Sequence, residues 1–131
     1  MDRLFLDANV LFSAAYRPAA GLLQLWKLPN VTLCSLRYVL EEARINLTED
    51  QQRTRLSRLS QELKLFEAPQ RQLPRGIYLP QKDAPILLAA IEARCSHLLT
   101  VDISHFGPYF GKKIEGVRIV LPGEYLRNRE A

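Results

Sequence analysis

Apolar residues in this chain come in short runs, separated by carboxylates, prolines and arginine-rich stretches. The first run, "RLFLD" over 3–7, ends in Asp7 and predicts a short, nearly buried strand. Leu11, Ala15, Leu22, Leu25 and Trp26 then mark a helix over about 10–27, which Pro18 breaks or kinks near Tyr16. "VTLC" (31–34) predicts a second strand, with Ser35 as N-cap of a helix over 36–47. Residues 48–64 predict a third helix. Thr48 caps it, Leu56, Leu59 and Leu63 form a narrow apolar stripe, and Arg53, Arg55, Arg58 and Lys64 occupy its other faces. Residues 66–82 hold three prolines and read as loop, with a short extended piece near 76–79. "DAPILLAAIEARC" (83–95) predicts a helix with Pro85 in its first turn. "HLLTVD" (97–102) predicts a strand, residues 103–113 a loop, and "VRIVL" (117–121) a last strand. No repeat, low-complexity tract or boundary interrupts the series, so a single domain over 1–131 is expected.

Strands alternating with helices imply a mostly parallel sheet between two helical layers, a three-layer α/β/α sandwich. Such sheets bind ligands beyond the carboxyl ends of their strands. Asp7 and Asp102 both stand there. Asp83 opens the helix that precedes the second of those strands, and Glu41 or Glu42 lies on the helix after "VTLC". Each acid has a plain structural reading. Asp7 and Asp83 suit helix caps, Glu41 and Glu42 suit a solvated helix face, and Asp102 suits a strand end. The functional reading rests on all of them falling at one end of one sheet.

Clustered carboxylates repel and raise one another's pKa values, and a divalent cation removes the conflict. An all-oxygen set without a Cys or His group favours Mg²⁺ or Mn²⁺ over Zn²⁺. Two such ions about 3.5–4 Å apart suit in-line phosphoryl displacement. Charge supports this direction. The chain carries 18 Lys and Arg against 14 Asp and Glu, a net +4. With four acids committed to one cleft, ten remain against 18 bases, so the rest of the surface carries +8 and suits a phosphate backbone. Arg17, Arg37, Lys82, Lys112 and Lys113 are the candidates to hold it. At 47 % apolar and 24 % charged residues the composition is that of a water-soluble globule. No apolar run is long enough for a membrane span, and the opening residues lack a signal-peptide layout, so a cytoplasmic protein is expected. Cys34 and Cys95 then read as buried free thiols.

The stretches "FLDANVLFSA", "CSLRYVLEEARINL", "KDAPILLAAIEARCSHLLTVD" and "ISHFGPYFG" resemble the PIN domain. Within it they resemble the small bacterial and archaeal proteins that include VapC-type toxin ribonucleases. The resemblance runs from Arg3 to about Leu121. It implies a ribonuclease that depends on Mg²⁺ or Mn²⁺, cuts single-stranded RNA and is commonly a homodimer. A small antitoxin blocks the site in toxin pairs. The family's acids fall on Asp7, one of Glu41 and Glu42, Asp83 and Asp102, with the metal on Asp7, Asp83 and Asp102. Its supporting polar positions fall on Asn9, Ser13 and Thr100. Spacing to Leu47 favours Glu42, and adjacent helical residues diverge by about 100°, so only one of the pair reaches a shared site. A further acid that some relatives carry shortly after the position of Asp102 is absent from Ile103, Ser104, His105 and Phe106.

Rival readings differ in class. An aspartate after the first strand also suits a phosphoryl-aspartate enzyme of the haloacid dehalogenase kind. That chemistry wants an acid where this chain has Asn9, and a later lysine that is missing. A receiver domain would carry an acidic pair after the first strand, also missing. A PIN-like module that binds RNA or protein without cutting is the alternative that survives. His105 offers phosphate binding or proton donation against plain loop packing, and His97 reads as structural. The arginines of 49–64 offer RNA contacts against a solvated face.

Overall fold

The computed structural model describes residues 1–130. Six strands form one sheet. They are β1 (Asp2–Leu6), β2 (Val31–Leu36), β3 (Leu63–Phe66), β4 (His97–Leu99), β5 (Lys113–Ile114) and β6 (Val117–Val120), in the spatial order β3-β2-β1-β4-β6-β5. All neighbours run parallel except β5, which pairs antiparallel with β6. Phe5 of β1 aligns with Cys34 on one side and Leu98 on the other. Leu4, Phe5 and Leu6 are fully buried, as a strand covered on both faces requires. The helices α1 (Ala8–Ala15), α2 (Arg37–Asn46), α3 (Asp50–Ser60) and α4 (Ala84–Glu92) flank the sheet. They are followed by the short α5 (Ile103–Phe106) and by α6 (Pro122–Glu130). The expected α/β/α sandwich is the observed fold.

The strand order locates the site. From β1 the chain builds outward through β2 and β3, then returns to add β4 on the opposite side of β1. The crevice between the carboxyl ends of β1 and β4 is therefore the topological switch point, where open α/β sheets bind their ligands. Asp7 follows β1 directly, and Thr100 and Asp102 follow β4.

Several local expectations are corrected. The predicted helix over 10–27 is two pieces: α1 stops at Ala15 and a 3₁₀ segment runs Gly21–Lys27, because Pro18 removes a donor between them. Ser35 is not an N-cap. It lies buried in β2, and its hydroxyl donates to the Leu6 carbonyl at 2.8 Å; Leu36 caps α2 without a side-chain bond. Thr48 is not the cap of α3 either. Glu49 is, in a reciprocal capping box with Gln52. The Leu56–Leu59–Leu63 stripe does not continue to 64, since α3 ends at Ser60 and Leu63 opens β3 beside Leu33. The piece near 76–79 joins no strand; Tyr78 N–H donates to the Tyr109 hydroxyl at 2.8 Å instead. Residues 103–113 hold α5 and a 3₁₀ turn, Gly107–Tyr109, before β5. Glu115 and Gly116, both at positive φ, close the two-residue hairpin between β5 and β6.

The arginines of α3 have structural work. Arg55 donates to the carbonyls of Ala15 and Tyr16 at the end of α1, and Arg53 to those of Arg44 and Leu47 at the end of α2. Cationic donors at helix carboxyl ends satisfy orphan carbonyls and oppose the dipole. Cys34 and Cys95 are buried free thiols, as expected. Among the described residues no helix is long and apolar enough to cross a membrane.

Gln52 ties two elements together. Its side-chain oxygen accepts from Glu49 N–H and its amide donates to the Tyr16 carbonyl, both at 3.1 Å, while the residue is buried. Gln52→Ala is expected to cost about 1–2 kcal/mol of stability in urea unfolding, with Gln51→Ala, on the exposed face, near neutral. Equal effects would contradict the cap.

Candidate active site

A cleft of about 400 Å³ opens at the switch point, and Asp7, Asn9, Glu42, Lys82, Asp83 and Asp102 are among the residues that line it. All three aspartates stand at helix N-caps: Asp7 before α1, Asp83 before α4 and Asp102 before α5. The positive ends of α1 and α4 thus face the cleft and offset part of its negative charge. The capping reading and the site reading of Asp7 turn out to be compatible. Oδ1 accepts from Ala8 N–H at 2.7 Å, and Oδ2 accepts from the Thr100 hydroxyl at 2.7 Å. Thr100 Oγ1 in turn accepts from Asp102 N–H at 3.0 Å. Asn9 spans the same gap, since its amide lies 3.4 Å from Asp7 Oδ2 and its oxygen accepts from Val101 N–H.

Asp83 does not cap its helix with its side chain. The loop turns in through Asp83 N–H and Ala84 N–H, which both donate to the Pro80 carbonyl. This leaves the carboxylate aimed across the cleft, where Oδ2 lies 2.7 Å from His105 Nδ1. The same nitrogen lies 2.8 Å from Asp102 Oδ2, while Asp102 Oδ1 accepts from His105 N–H at 3.1 Å. Neither ring contact has hydrogen-bond alignment, so Asp83 Oδ2 and His105 Nδ1 are buried without a satisfied partner. Asp83, Asp102 and His105 can bring one ligand atom each within 4.8 Å of one another.

Burial dominates the electrostatics. It pushes the Asp7 carboxyl above the ordinary range; hydrogen bonds from Thr100 and Ala8 pull it back, and the charges of Asp83 and Asp102 push it further up. Asp83 is raised as well, first by burial, with His105 opposing and Asp102 reinforcing. Tyr38 is pushed up to about 12, again mainly by burial, then by Glu42, Asp7 and Asp83. An orphaned buried carboxylate oxygen beside two further acids fits a divalent cation.

Of the two adjacent glutamates, Glu42 lines the cleft, whereas Glu41 is exposed and pairs with Arg44. Ser13, a turn beyond Asn9 on α1, lines a different cavity of about 620 Å³ with Arg17. That cavity is larger than the acidic cleft, yet no carboxylate lines it. Arg37 pairs with Glu67 at 2.7 Å on the surface. Lys112 and Lys113 are not brought to the cleft. Lys113 aligns with Arg118, which aligns with His97 and so with Leu4, placing it at the far edge strand and toward the amino-terminal half of the sheet. The strand order, invisible in the residue pattern, accounts for the error. His97 packs edge-on against Tyr125, as a structural residue does. Missed in the sequence were His105 as a bridge, Asn46 in the cleft wall and Tyr38, whose hydroxyl donates to the Lys82 carbonyl at 2.7 Å. Tyr38, Glu42 and Asn46 recur every four positions on α2, a spacing that was legible.

Residues 3–104 match the sequence model of the PIN domain. The chain belongs to the PIN domain family. Members of this family are typically metal-dependent nucleases, and the acidic cleft is where this member would hold the metal. Among solved structures the fold is similar to the crystal structure of VapBC2 from Rickettsia felis bound to a DNA fragment from their promoter. The TM-score is 0.64 at 17 % identity, over 89 % of this chain and 96 % of that one. No curated protein matches this chain in sequence.

The raised Asp7 pKa gives a signed expectation. The folded state holds this proton to higher pH than the unfolded chain, whose ordinary value is 3.8. Its contribution to stability is therefore most favourable below that value and is lost as pH rises through the folded pKa. In EDTA at pH 7, Asp7→Asn should melt higher than wild type, because the buried charge is removed. The gap should close in melts below about pH 4. An Asn variant that is less stable at pH 7 would mean that the carboxylate is a purely structural cap.

Proposed function

We propose that this PIN domain is a ribonuclease that hydrolyses phosphodiester bonds of single-stranded RNA with Mg²⁺ or Mn²⁺, as the toxin of a toxin–antitoxin pair. The observation that carries this reading is the convergence of Asp7, Glu42, Asp83 and Asp102 on one cleft at the switch point. A divalent cation held by Asp83 and Asp102, with Asp7 beside them, would activate water and neutralise charge on the phosphate during in-line displacement. The chain's own groups then divide the task. Thr100 and Asn9 hold Asp7 in place. Glu42, on α2, lines the same cleft and offers a base. Lys82 offers a cation to the RNA backbone at the cleft wall. Arg17 and Arg37 lie farther out and extend the contact at most along the strand.

The named structural neighbour is VapBC2 bound to promoter DNA, and this likeness supports a small antitoxin as partner. The family resemblance adds a homodimer and a cytoplasmic setting to the same reading.

Incubation of single-stranded RNA with the protein in Mn²⁺, Mg²⁺ or EDTA tests the proposal. Cleavage is expected with either ion and none in EDTA. Asp83→Asn or Asp102→Asn should lower the rate at least about a hundredfold, since even outer partners of metal ligands are worth about 10–100-fold. Bound without cleavage by either variant, RNA should dissociate steeply with added salt as counterions return to the phosphates. RNA that binds wild type but is never cut would favour the non-catalytic module.

A further inference from the structure

Resting on the reading that the cleft holds a divalent cation, we infer that His105 is one of its ligands. Its imidazole nitrogen joins Asp83 and Asp102 in a mixed nitrogen–oxygen site that favours Mn²⁺ over Mg²⁺. The geometry has three parts. His105 Nδ1 lies 2.7 Å from Asp83 Oδ2 and 2.8 Å from Asp102 Oδ2, aligned for a hydrogen bond with neither. Asp83 is only 4 % exposed, and its Oδ2 points into this gap without a satisfied partner. The third part is fixation. Asp102 Oδ1 accepts from the His105 backbone, and the neighbouring Phe106 is fully buried, so the main chain that carries the ring is held beside Asp102. A ring nitrogen caught between two carboxylate oxygens is the arrangement a cation replaces.

The three ligand atoms that come within 4.8 Å of one another are those of Asp83, Asp102 and His105, and Asp7 stands beside this trio in the same cleft. Residues 103–106 contain no acid, and His105 is the side chain that stands beside Asp83 and Asp102. Ligand type then sets the preference. Mg²⁺ takes oxygen ligands and gives up water reluctantly, whereas imidazole suits the transition metals.

Mn²⁺ reports its own ligands through its electron spin. Pulsed EPR of Mn²⁺ bound to the wild-type protein should show coupling to ¹⁴N, and growth with ¹⁵N-histidine should convert that signal without altering the sequence. His105→Gln should abolish the coupling and weaken Mn²⁺ binding by more than about tenfold, with a smaller effect on Mg²⁺ measured by competition. The chain has only one other histidine, and His97→Gln should change neither. Bound Mn²⁺ with no nitrogen coupling, or coupling that survives His105→Gln, overturns the ligand assignment and leaves an all-oxygen site and the ribonuclease reading intact. Absence of both Mn²⁺ and Mg²⁺ binding overturns both, and Mg²⁺ binding without Mn²⁺ overturns the ligand assignment alone. Nitrogen-coupled Mn²⁺ in a protein that cuts no RNA overturns the ribonuclease reading alone.

Discussion

The Thr100 hydroxyl donates to Asp7 Oδ2 across the gap between β1 and β4, and the same oxygen of Thr100 accepts from Asp102 N–H. This two-bond bridge is the constraint on which the site depends. It joins the first and fourth strands of the chain at the point where the sheet reverses its direction of growth. Thr100 is fully buried and Asp7 nearly so, so the bond between them forms in a low-dielectric setting where an unmade partner is costly. The cost is partly met by the positive end of α1, which Asp7 caps. A carboxylate at the seam of two buried segments is thus held by the elements it joins.

Charge accumulation follows from this arrangement. Asp83 enters from the loop before α4 and Asp102 from the end of β4, and each adds repulsion to a carboxylate already strained by burial. Tyr38 feels the same field from α2. The folded chain tolerates the conflict because helix ends and His105 offset part of it. The remainder is what a bound divalent cation would relieve.

Much of the fold was legible because the core strands read as continuous apolar runs and the helices as stripes. Asp7, Asp83 and Asp102 were legible because each stands at a break between such segments. Register and strand order were not. β3 hid inside a leucine stripe that continued the helical period from Leu59 to Leu63, and only pairing with β2 makes Leu63–Phe66 a strand. Lys112 and Lys113 looked adjacent to the Asp102 loop in sequence, but β5 carries them to the far edge. His105 was legible only in part: its spacing from Asp102 marks a helical turn, yet its contact with Asp83 depends on how the loop before α4 closes through Pro80.

The central claim is that the switch-point cleft is a divalent-cation centre. Anomalous diffraction from crystals of the protein soaked in Mn²⁺ tests it most directly. A peak within about 2.3 Å of carboxylate oxygens of both Asp83 and Asp102 is the result this account predicts. Saturating Mn²⁺ that leaves the cleft without a peak while occupying surface carboxylates elsewhere would contradict it.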